Sequence, residues 1–262
     1  MNEETSVSDN QITYEQPLNE RIRQFLRLEH LFQLSDNTLH GISDWESRNT
    51  LSCLTDIIDI LSRSDIKTDV LKFLERLQLN LSQLRHSDAI DKIQLDTVLE
   101  QIEQNYNALH AIHGKLASDL KEHNLINNLM QRGAVTAGVN SFDIPQFHHW
   151  LQQEPDVRIA SLYRWFESLE VLRQPIELIL DLIRSSTEAV TVDTEQGFYQ
   201  QALDTNKTYH LIRVSIPANT PYYAEISGGR HRVSIRFLQP QDRERPIQIE
   251  DDLSFELSCC SL

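Results

Sequence analysis

The apolar periodicity of this chain changes once, near residue 190. Before that point apolar residues recur at every third or fourth position; after it they alternate at every second position. The first spacing lines one face of an α-helix and the second lines one face of a β-strand. The expected fold is therefore α+β: an N-terminal, bundle-like helical domain followed by an antiparallel β domain packed against it. Most enzyme folds interleave strands and helices around a site, and this order speaks against them. The expected limits are an acidic, disordered tail over 1–13, a helical domain over 14–189 and a β-rich domain over 190–262.

In the helical part, Pro17 suits a first helical turn, where its missing N–H needs no partner. A helix is expected from there to about Ser35, with Ile22, Phe25, Leu28 and Phe32 on its apolar face. A second helix is expected near 44–63. Two longer ones carry seam patterns, Val70, Leu74, Leu77, Leu81 and Leu84 in one and Leu95, Val98, Ile102, Leu109 and Ile112 in the other. Such spacing of three and four suits antiparallel pairing, with His86-Ser87-Asp88 as the turn between them. A glycine-containing break, Gly133 to Gly138, leads to a segment where Asp143 is placed to cap a helix that opens at Pro145. Helices near 156–169 and 173–186 complete this part.

In the β part, Ile212, Val214 and Ile216 share one face of a strand. Val233, Ile235 and Phe237 point inward on another, with Arg232, Ser234 and Arg236 outward. Ser227-Gly228-Gly229-Arg230 is a hairpin-turn signal. Leu253, Phe255 and Leu257 alternate in a closing strand. One apolar face results, and the helical part is its expected cover.

Composition narrows the function. Lys and Arg number 24 against 39 Asp and Glu, a formal net charge of -15. So acidic a surface disfavours nucleic acid and an anionic membrane as partners. No apolar run reaches the roughly 20 residues that a membrane-spanning helix requires, and the polar, acidic start lacks the features of a secretory signal. Cys53, Cys259 and Cys260 have neither disulfide-framework nor zinc spacing, which fits a cytoplasmic protein. Phosphate-loop, dinucleotide, zinc-protease and serine-hydrolase motifs are all missing. His110 and His113 could meet one metal from a helix, but no third ligand is evident, and no cofactor is expected. His148-His149-Trp150 is either a recognition segment or a helix that packs Phe147, Trp150 and Leu151 with histidines at its flanks. Arg21, Arg23 and Arg27 cluster early, and Arg230, Arg232 and Arg236 cluster on the hairpin. Basic patches on an acidic body can select an acidic peptide, unless neighbouring carboxylates neutralise them.

Several strings then converge. Pro17-Leu-Asn-Glu-Arg-Ile-Arg-Gln-Phe-Leu-Arg-Leu-Glu29 resembles the N-terminal signature of the ZapD family of bacterial cell-division proteins, and Ser141-Phe-Asp-Ile-Pro-Gln-Phe-His-His-Trp-Leu151 is similar to its central motif. Leu180 to Ser186, Gly197 to Gln200, Ile226-Ser-Gly, Val233 to Phe237 and Phe255 to Cys260 match in order. The resemblance covers about residues 14–260. It implies a homodimer without catalytic activity that binds the C-terminal tail of FtsZ, the tubulin-like division polymer, and cross-links its filaments into bundles at midcell. A helical adaptor for another acidic peptide is the alternative. By the same resemblance Arg27 pairs with a tail carboxylate, and His148 supplies a hydrogen bond or a pH-sensitive charge. A basic family position falls on uncharged Asn124; Lys121, His123 or Arg132 could compensate there, with Arg132 steering the tail. Arg21, in the same signature as Arg27, is counted with the site.

Overall fold

The computed structural model describes residues 11–86, 91–132 and 140–262. Its elements run β1 (Gln11–Pro17), α1 (Glu20–Leu39), α2 (Asp44–Arg63), α3 (Ile66–Gln83), α4 (Lys92–Ala111), α5 (Ser118–Glu122), α6 (Asn124–Arg132), α7 (Pro145–Leu151), α8 (Pro155–Glu167) and α9 (Glu170–Ser185), then β2 (Val190–Asp193), β3 (Phe198–Ala202), β4 (Tyr209–Pro217), β5 (Tyr223–Gly228), β6 (Arg232–Gln239), β7 (Ile247–Gln248) and β8 (Ser254–Ser261). The fold is α+β, as the change of period indicates. The turn expected at His86-Ser87-Asp88 and the break at 133–138 lie largely or wholly outside the described residues, as do the first ten residues of the expected tail.

Two compact units result. One comprises the described residues through Arg23 with Asp181–Leu262; the other is Gln24–Leu180. The early boundary differs from the expected one because residues 11–17 are neither tail nor helix. They form β1, which pairs antiparallel with β4 from Gln11↔Pro217 to Pro17↔Leu211. Pro17 therefore ends a strand instead of opening a helix. An edge strand tolerates a residue with no N–H to give, and β1 is an edge of its sheet. The helix begins later because the side chain of Asn19 accepts from the N–H of Ile22 at 3.0 Å, an N-cap contact that fixes α1's first turn.

The first unit holds two antiparallel sheets, β1-β4-β8-β2 and β3-β6-β5 with β7 paired to β6. Their inward faces form one core. Ile212, Val214 and Ile216 of β4 and Phe255 and Leu257 of β8 meet Val233, Ile235 and Phe237 of β6. Phe237 and Phe255 stand 5.1 Å apart across it, and Tyr199 meets Phe255 edge-on at 5.4 Å. The cover of the apolar face is thus the second sheet, not helices as expected: each sheet supplies the other's partner surface, the sandwich solution. At the tight entry to β3, Gly197 has φ +68°, and a Cβ there would meet the carbonyl oxygen of Ile249 at 2.3 Å. Only glycine fits that turn. Outside the core, Glu15 of β1 receives Arg184 through two contacts of 2.9 Å and Arg213 at 3.0 Å. This two-arginine clamp ties the end of α9 to the first sheet.

In the second unit α3 and α4 pack along part of the expected seam; Leu84 is exposed and Leu81, Val98 and Ile112 are only half-buried, while Phe73 and Leu99 join the buried face. Val70, Phe73, Leu74 and Leu77 face Leu95, Leu99, Ile102 and Leu109, all buried. Phe25 of α1 meets Phe73 edge-on at 6.4 Å. The end of the α3–α4 pair is closed by Arg85 and Asp96 at 3.0 Å. α2 opens on a reciprocal cap: the Ser43 hydroxyl accepts from the N–H of Glu46, whose carboxylate accepts from the N–H of Ser43 at 3.0 Å. The Ser43 hydroxyl, and then its backbone N–H, hold the Glu46 carboxyl below its ordinary 4.5. A folded value below the unfolded one stabilises above 4.5, and the contribution is lost as pH falls through the folded value. Ser43→Ala should therefore lower the melting temperature at pH 7, and the gap to wild type should narrow in melts below pH 4.5. A gap of constant size across that range would remove Glu46 from the cap.

Candidate partner-binding surface

α6 and α7 carry the residues that sequence spacing singles out, and both are amphipathic. α6 buries Leu125, Ile126 and Leu129 and exposes Asn124, Asn127, Gln131 and Arg132. α7 buries Phe147, Trp150 and Leu151 and exposes Gln146, His148 and His149. The packing reading of the His-His-Trp string thus holds for its apolar residues, while both histidines face water. Phe147 stacks on Trp150 at 6.2 Å, and Trp150 lies 5.9 Å from Trp165 of α8. The guanidinium of Arg48, from α2, sits 4.9 Å over the Phe147 ring. That cation–π contact is a basic neighbour of α7 that sequence reasoning missed, since α2 is distant in the chain.

Polar contacts join the two helices on one flank. Asn128 donates to Asn124 at 2.7 Å and reaches Gln146 at 3.5 Å. Arg132 donates to the backbone carbonyl of Asp143. These contacts gather Asn124, Arg132 and the start of α7. His148 stands apart from them: two residues beyond Gln146, it projects about 200° around the helix. Asp143 does not cap α7 as expected. Ile144 occupies the cap position without a side-chain contact, and the Asp143 carboxylate instead accepts from the N–H of Asn140 at 2.9 Å. Pro145 does occupy the first turn. Of the substitutes for a cation at Asn124, His123 lies edge-on to Trp165 at 5.1 Å and Lys121 is half-buried at the end of α5.

Arg27 is exposed on α1 and has no ion-pair or hydrogen-bond partner among the described residues. Several other arginines differ. Arg23 pairs with Glu20 at 2.7 Å, Arg63 with Asp59 at 2.9 Å and Arg173 with Asp36 at 2.5 Å. Arg21 is half-buried and falls in the first unit, whereas Arg27, Asn124, Arg132 and His148 fall in the second. The hairpin arginines Arg230, Arg232 and Arg236 are exposed and make no ion pair with any described residue. Neutralisation by neighbours therefore accounts for Arg23, and not for Arg27 or the hairpin.

The two histidines considered for a shared metal do not lie on one helix. α4 ends at Ala111, so His113 lies beyond the helix that carries His110, and His110 instead stacks on Tyr106 at 5.7 Å. Among the described residues no group of three His, Cys, Asp or Glu side chains could hold a metal ion. Burial pushes the Cys53 and Cys260 thiols up to about 11, which leaves them protonated and poor nucleophiles at neutral pH. Among the described residues no helix is long and apolar enough to cross a membrane.

Known proteins are similar to this chain in sequence over nearly its whole length. The family model described as ZapD, cell division protein, matches residues 26–236. Cell division protein ZapD of Methylococcus capsulatus is 38% identical over 253 residues, covering 97% of this chain and 99% of its own length. Its namesake from Coxiella burnetii is 34% identical, covering 96% and 98%. The Bordetella pertussis protein of that name is 36% identical over 257 residues, covering 95% and 98%.

Proposed function

The chain belongs to the ZapD family of cell division proteins, and on that premise we propose that it is a non-enzymatic cross-linker of FtsZ filaments. It binds the C-terminal tail of FtsZ through a basic surface and, as a homodimer in the cytoplasm, joins neighbouring filaments into bundles at the midcell ring. The observation that carries this reading is Arg27. It is an exposed cation without a partner among the described residues, on a protein with fifteen more acidic than basic side chains. An unpaired guanidinium on such a body favours one short acidic ligand while the remaining surface repels others. One tail per filament subunit presents a dense ligand array. Two joined sites then raise avidity by on the order of a hundredfold or more through effective concentration, without any new contact.

Arg27→Glu tests the reading directly. Anisotropy of a labelled FtsZ tail peptide should show binding weakened by about tenfold at low ionic strength, because the reversal turns an attraction into a repulsion. The gap should narrow as salt shortens the screening length to about 8 Å at physiological strength. Unchanged affinity would take Arg27 out of the site.

A further inference from the structure

We propose that Phe142 is an apolar anchor of this surface, so that the tail segment it binds must set an apolar side chain beside its carboxylates. The proposal rests on the tail-binding reading above and adds what charge alone cannot give. Phe142 is 79% exposed, an unusual position for a ring that normally buries on the order of 150 Å² or more. The loop that carries it is held from several directions. Asp143 accepts from the N–H of Asn140 through its carboxylate and donates its own N–H to the carbonyl of Asn140 at 3.1 Å. Ile144 donates to the same carbonyl at 3.3 Å, is itself buried and leads into Pro145. Arg132 grips the carbonyl of Asp143, the residue next to Phe142. The ring is therefore presented by a fastened turn.

Chemistry identifies the occupant. Arg132 is exposed and gives one hydrogen bond to the carbonyl of Asp143, while a guanidinium has five N–H donors. Its charge meets a carboxylate, and Phe142 one residue along meets an apolar group. The amides of Asn124, Asn128 and Gln146 offer donors and acceptors to a peptide backbone nearby. A cation next to an exposed ring selects an acidic peptide that carries an apolar residue, and it discriminates against purely acidic chains. Aromatic anchors of this kind dominate binding where they become fully covered.

The test is anisotropy of the labelled FtsZ tail peptide against wild type, Phe142→Ala, Phe142→Leu and Arg27→Glu at two salt concentrations, with melting curves for each. Phe142→Ala should weaken binding about tenfold or more at both salt concentrations, with an unchanged melting temperature. Phe142→Leu should keep most of the affinity. A Phe142→Ala variant that binds as wild type while Arg27→Glu binds weakly overturns the anchor and leaves the tail-binding reading standing. If Phe142→Ala also melts earlier, Phe142→Leu decides: a Leu variant that melts as wild type and keeps most of the affinity supports the anchor, and one that melts as wild type and loses the affinity shows that an apolar side chain at this position is not what the peptide meets and overturns the anchor. No binding of the peptide by wild type overturns the tail-binding reading, and the anchor with it.

Discussion

Filaments of FtsZ without the C-terminal tail will stay dispersed when this protein is added, whereas full-length filaments will bundle. The effect expected in light scattering is complete loss, not attenuation. A single tail contact through a few exposed side chains is weak, and bundling depends on many of them acting together. Removing the tail removes every copy of the ligand at once. The acidic body, at a formal charge of -15, offers little general attraction to replace it. Salt should reduce bundling of the full-length filaments, since exposed pairs are screened. Bundling that persists without the tail would mean that another filament surface is the ligand.

The largest stability effect is expected at Arg158. This residue of α8 is 3% exposed. Its guanidinium donates to the carbonyls of Leu151 at 2.9 Å, Gln153 at 2.6 Å and Ile42 at 2.6 Å, and to the Ser47 hydroxyl at 3.1 Å. Asp44 completes the set at 3.4 Å. One side chain thus fastens the end of α7 to the start of α2. A cation at the C-terminal end of α7 also complements that helix's dipole. Arg158→Ala leaves these acceptors without their donor, at about 1–3 kcal/mol for each that water cannot reach. A loss on the order of 4 kcal/mol, and a fall in melting temperature of roughly 10 °C, should follow. Arg158→Lys should recover only part, because an ammonium cannot reproduce the planar fork. A change below about 1 kcal/mol would show that water replaces the guanidinium. Because α7 carries His148, tail binding should fall along with stability in the alanine variant.

The elements that could be read from the sequence are those whose cause is local. The strand around Val233, Ile235 and Phe237 shows strict alternation, and the α3–α4 seam shows three-four spacing; both come from the period of the element itself. β1 could not be read in this way. Its partner β4 lies about two hundred positions away, and Pro17 suits a helix start as well as a strand edge. Asp143 has the right side chain for a cap, but its carboxylate is used within its own turn. Arg158 looks like any exposed helical arginine until its acceptors from α2 and α7 converge on it. Arg27 stood out because it sits within a motif. Arg48 could be recognised only after folding brought it over Phe147. Phe142 lies inside the Ser141–Leu151 motif, but its exposure belongs to the folded loop.

Bivalence is the central claim, and sedimentation of the purified protein, alone and saturated with FtsZ tail peptide, tests it most directly. The chain mass is 30.4 kDa. A species of twice that mass, taking up one peptide per protomer without dissociating, is the required result. A protomer of single mass that still bundles full-length filaments would contradict it.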